Sequence, residues 1–318
     1  MTDTGVDLVT GALSYTGRHI ATQLLARHRS VRTLTGHPDR DAELAARLDV
    51  RPYRFDDPVA LARSLEGVTT LYNTYWVRFQ HGDTDFDQAI AQSRALFDAA
   101  RRAGVTRIVH VSITNPSLAS DLPYFRGKAQ TEQALAETGV SFGIVRPTVV
   151  FGPGDVLINN IAWLLRHLPV FAIAGDGAYP VRPVHVDDVA RLCIAMGDRT
   201  DDGIVDAVGP EVFTFAGLVE AVGDAVGRRP RLVHLPSTAV ATLARVLGVG
   251  LRDALLTRDE LAGLMRGLVT TEGPSTGAID LRGWLGEHGD TLGRAYASEI
   301  ARHFDRVDGT DRAEPAAA

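Results

Sequence analysis

Lysine is almost missing from this chain. Of its 33 basic residues, 32 are arginine and only Lys128 is lysine. Cysteine is equally scarce: Cys193 stands alone, which excludes an internal disulfide and suits a reducing compartment. Its setting in Ala190-Arg191-Leu192-Cys193-Ile194 reads as core filling rather than as a nucleophile. No stretch reaches the ~18 apolar residues of a bilayer span, and the nearest, 239–251, is interrupted by Arg245. The opening Met1-Thr2-Asp3-Thr4 is polar and acidic, unlike an export signal. A net charge of −6 without a basic run excludes a nucleic-acid footprint. His110, His185 and the Asp187-Asp188 pair do not recur at metal-ligand spacing, so no metal site is expected. A Gly-x-Ser-x-Gly elbow is also lacking, which removes support for a serine hydrolase. The expectation is a cytoplasmic protein with no integral membrane segment, its 45% hydrophobic content filling one large or two interleaved cores.

What is present gathers around the lone lysine. A chain that writes positive charge as arginine wherever arginine serves retains lysine where it does not. An ammonium is a compact charge with a movable pKa, whereas a guanidinium is wide, planar and permanently charged. Four residues upstream lies Tyr124, and on a helix an i,i+4 pair shares a face. With seven tyrosines in 318 residues, that offset is roughly a 2% coincidence. Beside an ammonium the phenol pKa is expected to fall from its ordinary value near 10, making Tyr124 a usable proton donor or acceptor. The plain alternative is a surface lysine next to a core tyrosine.

From the amino terminus, Val6–Thr10 reads as a strand and Arg18–His28 as a helix. Between them runs Gly11-Ala12-Leu13-Ser14-Tyr15-Thr16-Gly17, the strand–glycine turn–helix context of a dinucleotide phosphate site. Ser14 occupies the place of a middle glycine, where its hydroxyl can serve a phosphate. A second strand, Val31–Thr35, ends in Gly36-His37-Pro38 rather than in an acidic residue. With Arg40 nearby, that ending leans towards a 2′-phosphate and NADP over NAD, against which stand Asp39 and Asp41. Further strands are expected at Val50–Phe55, Val68–Leu71, Arg107–Val111, Ser141–Arg146 and Ile204–Val208, alternating with helices. Such alternation predicts a doubly wound parallel sheet of Rossmann type. Ser14, Asp56, Asn73, Trp76 and Ser112 would then line its carboxyl rim. Gly127, costly inside the helix from Pro123 to about Thr138, implies a close backbone approach. Residues 1–155 are expected to form the nucleotide domain, with 183–208 returning to it. A mostly helical substrate region would span 156–304, including helices over about 237–248, 257–266 and 288–304, before a flexible tail at 305–318.

Four pieces in order resemble the short-chain dehydrogenase/reductase superfamily, in its extended and atypical, epimerase/dehydratase-like branch. They are Thr10-Gly11…Gly17, the strand end at Ser112, Tyr124-x3-Lys128, and Arg146-Pro147…Phe151-Gly152 followed by His185-Val186-Asp187-Asp188-Val189. The likeness spans about residues 5–235 and is greatest to NmrA-type proteins and the reductase-like accessory subunit of respiratory complex I. It implies Tyr124 as general acid/base, Lys128 on the nicotinamide ribose, and Ser112 on the substrate oxygen. It further implies Gly11 and Gly17 at the phosphates, with Ser14, Tyr15 and Thr16 between them, Asp56 by the adenine and Pro147 by the nicotinamide; His37 and Asn73 complete the expected cofactor set. Two features depart from the pattern: Ser14 at the middle position, and a gap of only twelve residues from Ser112 to Tyr124.

The activity this implies is NAD(P)-dependent hydride transfer to or from a carbonyl or alcohol carbon of a small molecule. Trp76, Arg78, Phe79 and His81 would face the substrate from one side and Asn159, Asn160 and Trp163 from the other, unless they simply pack. Two other readings stand beside it: a non-catalytic NAD(P)H-binding sensor or assembly protein, and a nucleotide-sugar epimerase or dehydratase. An oligomer is compatible with any of them.

Overall fold

The computed structural model describes residues 5–80, 85–229 and 231–303. Strand and helix alternate through β1 (Val6–Thr10), α1 (Tyr15–Ala26), β2 (Ser30–Thr35), a 3-10 turn (Pro38–Arg40), α2 (Ala42–Ala45), β3 (Asp49–Pro52) and α3 (Pro58–Ser64). The alternation continues with β4 (Val68–Asn73), α4 (Phe86–Arg102), β5 (Arg107–Val111), α5 (Pro123–Ala136) and β6 (Ser141–Pro147). Next come β7 (Val150–Phe151), α6 (Leu157–His167), β8 (Val170–Ala174), β9 (Pro180–Val181), β10 (Val184–His185), α7 (Val186–Gly197) and β11 (Gly203–Ala207). The chain then forms β12 (Phe213–Thr214), α8 (Phe215–Ala225), β13 (Arg231–Leu235), α9 (Ser237–Leu251), α10 (Arg258–Met265), α11 (Leu281–His288) and α12 (Glu299–His303).

Seven strands make one sheet in the order β3-β2-β1-β4-β5-β6-β11, and every neighbouring pair is parallel. This is the doubly wound sheet that the sequence pattern predicts. Both faces are covered, so strand residues are apolar at consecutive positions. Val9, Val109 and Val145 pack under α1 and α7 with Ile20, Leu24, Cys193 and Ile194. Their neighbours Leu8, Ile108 and Ile144 face Leu61 on α3, Leu65 just after it, and Leu96 and Phe97 on α4. Each such side chain, fully buried, contributes about 1.5–3 kcal/mol. Strand order reverses between β1 and β4, opening a crevice at their carboxyl ends.

A second core lies beyond β6, where Phe151, Ile158, Ile161, Leu218, Val222 and Trp284 cluster. β8 and β13 pair in parallel beside it. Asp188, buried at the start of α7, accepts the backbone N–H groups of Ala278 (2.9 Å) and Ile279 (3.0 Å), tying the late chain to the sheet.

The helix expected over 288–304 does not form as drawn, and the expected flexible tail lies outside the described residues. Instead α11 ends at His288 and only Glu299–His303 is helical again. The intervening backbone is claimed by α6: Arg166 donates to Leu292 O (2.8 Å) and Gly289 O (2.9 Å). Asn159 accepts from Gly293 N and donates to Ala295 O, each at 3.0 Å. Gly293 has φ +66°, and a Cβ there would stand 2.4 Å from Ala162 C. Groups that a helix would satisfy internally are satisfied across the interface.

Candidate active site

The carboxyl end of β1 turns sharply at Gly11, whose φ is +63°. Its N–H donates to Leu34 O (2.9 Å) and its carbonyl accepts from Ser14 N (2.8 Å). A Cβ on Gly17 would lie 2.4 Å from Gly11 O, so only glycine lets α1 begin this close to the strand. Ser14 is the N-cap residue of α1, yet its side chain makes no capping bond and no acidic residue occupies the first turn. The first turn of α1 therefore makes a helix end that attracts an anion. Tyr15 and Thr16 are half-buried, and Tyr15 meets His19 edge-on at 5.9 Å.

Thr10 joins β1 to β4: its Oγ1 accepts from Thr74 N (2.7 Å) and Tyr75 N (3.1 Å). Asn73, expected at the cofactor, is fully buried and serves the strand ends instead. Its Oδ1 accepts from Thr10 Oγ1 (3.2 Å) and Tyr75 N (3.1 Å), while its Nδ2 faces His110 Nδ1 at 3.1 Å. Burial, with Lys128 nearby, pushes His110 well below the ordinary histidine range and keeps it neutral. His37 and Arg40 follow β2, where Arg18 pairs with Asp41 at 3.0 Å. Asp56 is exposed past β3, whereas its neighbour Asp57 caps α3 through Val59 N and Ala60 N, each at 3.0 Å. A trio not singled out from the sequence stands here: Tyr53, Phe55 and Tyr75, with ring centres 5.0–5.5 Å apart. The Tyr-x-Phe alternation before Asp56 was the available signal.

Lys128 is 3% exposed. Its Nζ donates to Val111 O (3.0 Å) at the end of β5 and lies 4.5 Å from the centre of the Trp76 ring. Gly127 permits that approach, since a Cβ there would come 3.1 Å from Trp76 Cη2. Burial pushes the Lys128 pKa down to about 7, with Glu132 opposing. One turn earlier Tyr124 is half-buried, edge-on to Trp76 (5.9 Å) and Phe86 (5.8 Å). The expected fall in the phenol pKa does not occur. Burial, then Glu260, raises it. The ammonium is directed to Val111 O and the Trp76 face instead. Ser112 follows on the same strand end, its Oγ buried with no partner among the described residues. Trp76 Nε1 and Thr114 Oγ1 are likewise buried without partners. Pro147 ends β6, and its carbonyl accepts from Thr114 N (3.1 Å).

Three residues expected to face the substrate are otherwise engaged. Arg78 Nε donates to Glu260 Oε1 (2.6 Å), its NH1 lies 3.4 Å from Glu299, and its NH2 reaches Leu255 O at 3.4 Å. A guanidinium so matched is a clasp onto the helical region rather than a free anion receptor. Asn160 exchanges two hydrogen bonds with the Ala297 backbone (2.8 and 3.0 Å). Trp163 stacks on His167 at 4.3 Å and meets Tyr296 edge-on. Polar groups that must be satisfied on burial are satisfied here by the late chain, which sequence spacing does not reveal. Phe79 is buried against the Arg78 guanidinium (5.8 Å), and His81 lies outside the described residues.

A glycine turn only a Cβ-free chain can make, an uncapped helix end above it and partnerless hydroxyls at the next strand end fit a dinucleotide. Together with the strand order, they define a Rossmann-type nucleotide-binding protein. The comparisons agree. A family model described as NAD(P)H-binding matches residues 11–155. Sterol demethylase protein B of Methylococcus capsulatus is 34% identical over 256 residues, 72% of this chain and 77% of that protein. NADH dehydrogenase (ubiquinone) 1 alpha subcomplex subunit 9 of Arabidopsis thaliana is 27% identical over 253 residues. That match takes in 75% of this chain but 62% of the subunit, so the chain spans less than two thirds of its length. Triphenylmethane reductase of Citrobacter sp. shares the fold, with a TM-score of 0.75, 15% identity, and coverage of 91% of this chain and 100% of that one. The chain belongs to the NAD(P)H-binding family of Rossmann-type proteins. No described helix is long and apolar enough to cross a membrane.

Proposed function

We propose that this protein is an NAD(P)-dependent oxidoreductase that reduces a carbonyl carbon of a small molecule, with Tyr124 as the proton donor. One observation carries the reading. The only lysine of the chain is buried a helical turn from Tyr124, its Nζ at the strand end that also presents the partnerless Ser112 hydroxyl. A bound nicotinamide supplies the hydride. The chain's own groups do the rest: Ser112 Oγ donates to the substrate oxygen, and Tyr124 gives its proton there as negative charge develops. Because burial raises the phenol pKa, Tyr124 is protonated at neutral pH, the form that reduction needs. The Gly11–Gly17 turn and Ser14 would hold the pyrophosphate, and His37 with Arg40, where no acidic residue ends β2, favours NADP.

A second reading is a binding subunit without turnover. It is favoured by Trp76, which lies over the Lys128 ammonium, and by the likeness to a protein named as a subunit of a larger assembly. Fluorescence titration with NADPH and NADH, followed by a ketone and aldehyde screen with Tyr124→Phe as control, separates the two. The enzyme reading expects turnover that falls about 10²–10⁴-fold in the variant with nucleotide affinity kept. Tight nucleotide binding with no turnover on a broad panel would favour the subunit.

A further inference from the structure

The wall that faces Tyr124 from the helical region is acidic. Gly263 of α10 lies against α5 so closely that a Cβ would come 2.9 Å from the Phe125 ring. Arg266, at the end of α10, pairs with Asp121 just before α5 (2.7 Å). Helix α10 is thus laid across the turn that carries Tyr124, and its first turn brings Glu260 to Arg78. From α12 comes Glu299, 6% exposed. The phenol feels both carboxylates as well as Arg78. Glu260 and Glu299 both stand on the Arg78 guanidinium, which is thereby matched. The rest of the wall is aromatic: Trp76, Phe86 and Phe125 ring the phenol at 5.8–5.9 Å.

We infer that the substrate is an uncharged carbonyl compound with an apolar or aromatic body, and that Glu260 is the residue that turns anionic compounds away. The inference rests on the oxidoreductase reading above and names its substrate class. An anion entering beside Tyr124 would meet like charge in a partly desolvated site, where Coulomb energies exceed their value in water. Arg78, the guanidinium at this wall among the described residues, is already paired. Glu260 can be changed without dismantling α10. Its Oε2 closes a capping box with Thr257 N (2.8 Å) while Oε1 holds Arg78, and glutamine preserves the box while losing the charge.

The test compares methyl 4-formylbenzoate with 4-formylbenzoate, nearly equal in shape and differing in charge. Turnover with NADPH gives kcat/KM for each, and calorimetry on the protein–NADPH complex gives each affinity. The parent is expected to prefer the ester, and Glu260→Gln to raise the carboxylate-to-ester ratio by about tenfold, mostly through KM. Arg78→Met, which leaves the carboxylates unmatched, should lower the same ratio, so the inference stays testable if one variant fails to fold. A parent that takes the carboxylate as well as the ester, or variants that leave the ratio unmoved, would overturn it. If both compounds bind with the ester preferred but neither is reduced, the substrate-class inference stands and the enzyme reading falls. If neither binds, the inference falls too.

Discussion

The Lys128 ammonium lies 4.5 Å from the centre of the Trp76 ring, a contact that Gly127 makes possible by lacking a Cβ. Such a cation–ring pair is worth roughly 0.5–2 kcal/mol. It also makes Trp76 a reporter on the lysine. The chain has three tryptophans, and the other two, Trp163 and Trp284, belong to the helical region. NADPH should therefore quench intrinsic emission chiefly through Trp76. Quenching is expected to be largely lost in Trp76→Phe and kept in Trp163→Phe; equal quenching in both variants would show that the lysine is not near the nucleotide.

Lys128 should leave a signature in the pH dependence of stability. Its folded pKa, pushed down to about 7, lies below the ordinary 10.5. Between those values the unfolded chain holds the proton that the folded protein has released, so this group favours folding more as pH rises. Below about pH 7 both states are protonated and the burial cost is felt in full. Lys128→Met removes that dependence. The stability advantage of the variant over the parent should be greatest near pH 7 and shrink towards pH 10, as urea denaturation would record. Parallel curves would mean an unshifted lysine.

In the glycine turn two substitutions should part company. Gly17→Ala sets a methyl 2.4 Å from Gly11 O and should disrupt the turn, costing both stability and nucleotide affinity. Ser14→Ala removes a hydroxyl that caps nothing, so thermal stability should hold while the NADPH Kd rises roughly ten- to a hundredfold, the loss of one hydrogen bond to a charged group. An unchanged Kd would take Ser14 out of the phosphate site.

Asn160→Ala tests a residue that the sequence placed at the substrate. It gives up the bonds to Ala297 N and O and should destabilise the protein by about 1–3 kcal/mol. KM for any carbonyl substrate should stay where it was. A raised KM with unchanged stability would restore Asn160 to the substrate wall.

Legibility in the sequence followed the range of the interaction. The sheet could be read because buried parallel strands print as apolar pairs such as Leu8-Val9 and Ile108-Val109, and because Gly11 and Gly17 are fixed by local sterics. Tyr124 and Lys128 could be placed together because helix geometry alone joins residues four apart. What the sequence does not show at Arg78 and Asn160 is their long-range partners: Glu260 is 182 residues from Arg78, and Ala297 is 137 from Asn160. The irregular run before α12 was hidden for the same reason. Gly289 and Gly293 weaken a helix there, and the side chains of α6 take up the backbone groups instead.

Asp188 shows what that long-range stitching means for dividing the protein. Its carboxylate, 4% exposed, is met by Arg191 and by the amides of Ala278 and Ile279. A fragment cut before residue 276 would keep every strand of the main sheet yet strip this carboxylate of its two amide donors and open it towards the α7 packing. The seven-stranded sheet with its helices is therefore not a detachable module: α7 is finished by chain made some ninety residues later.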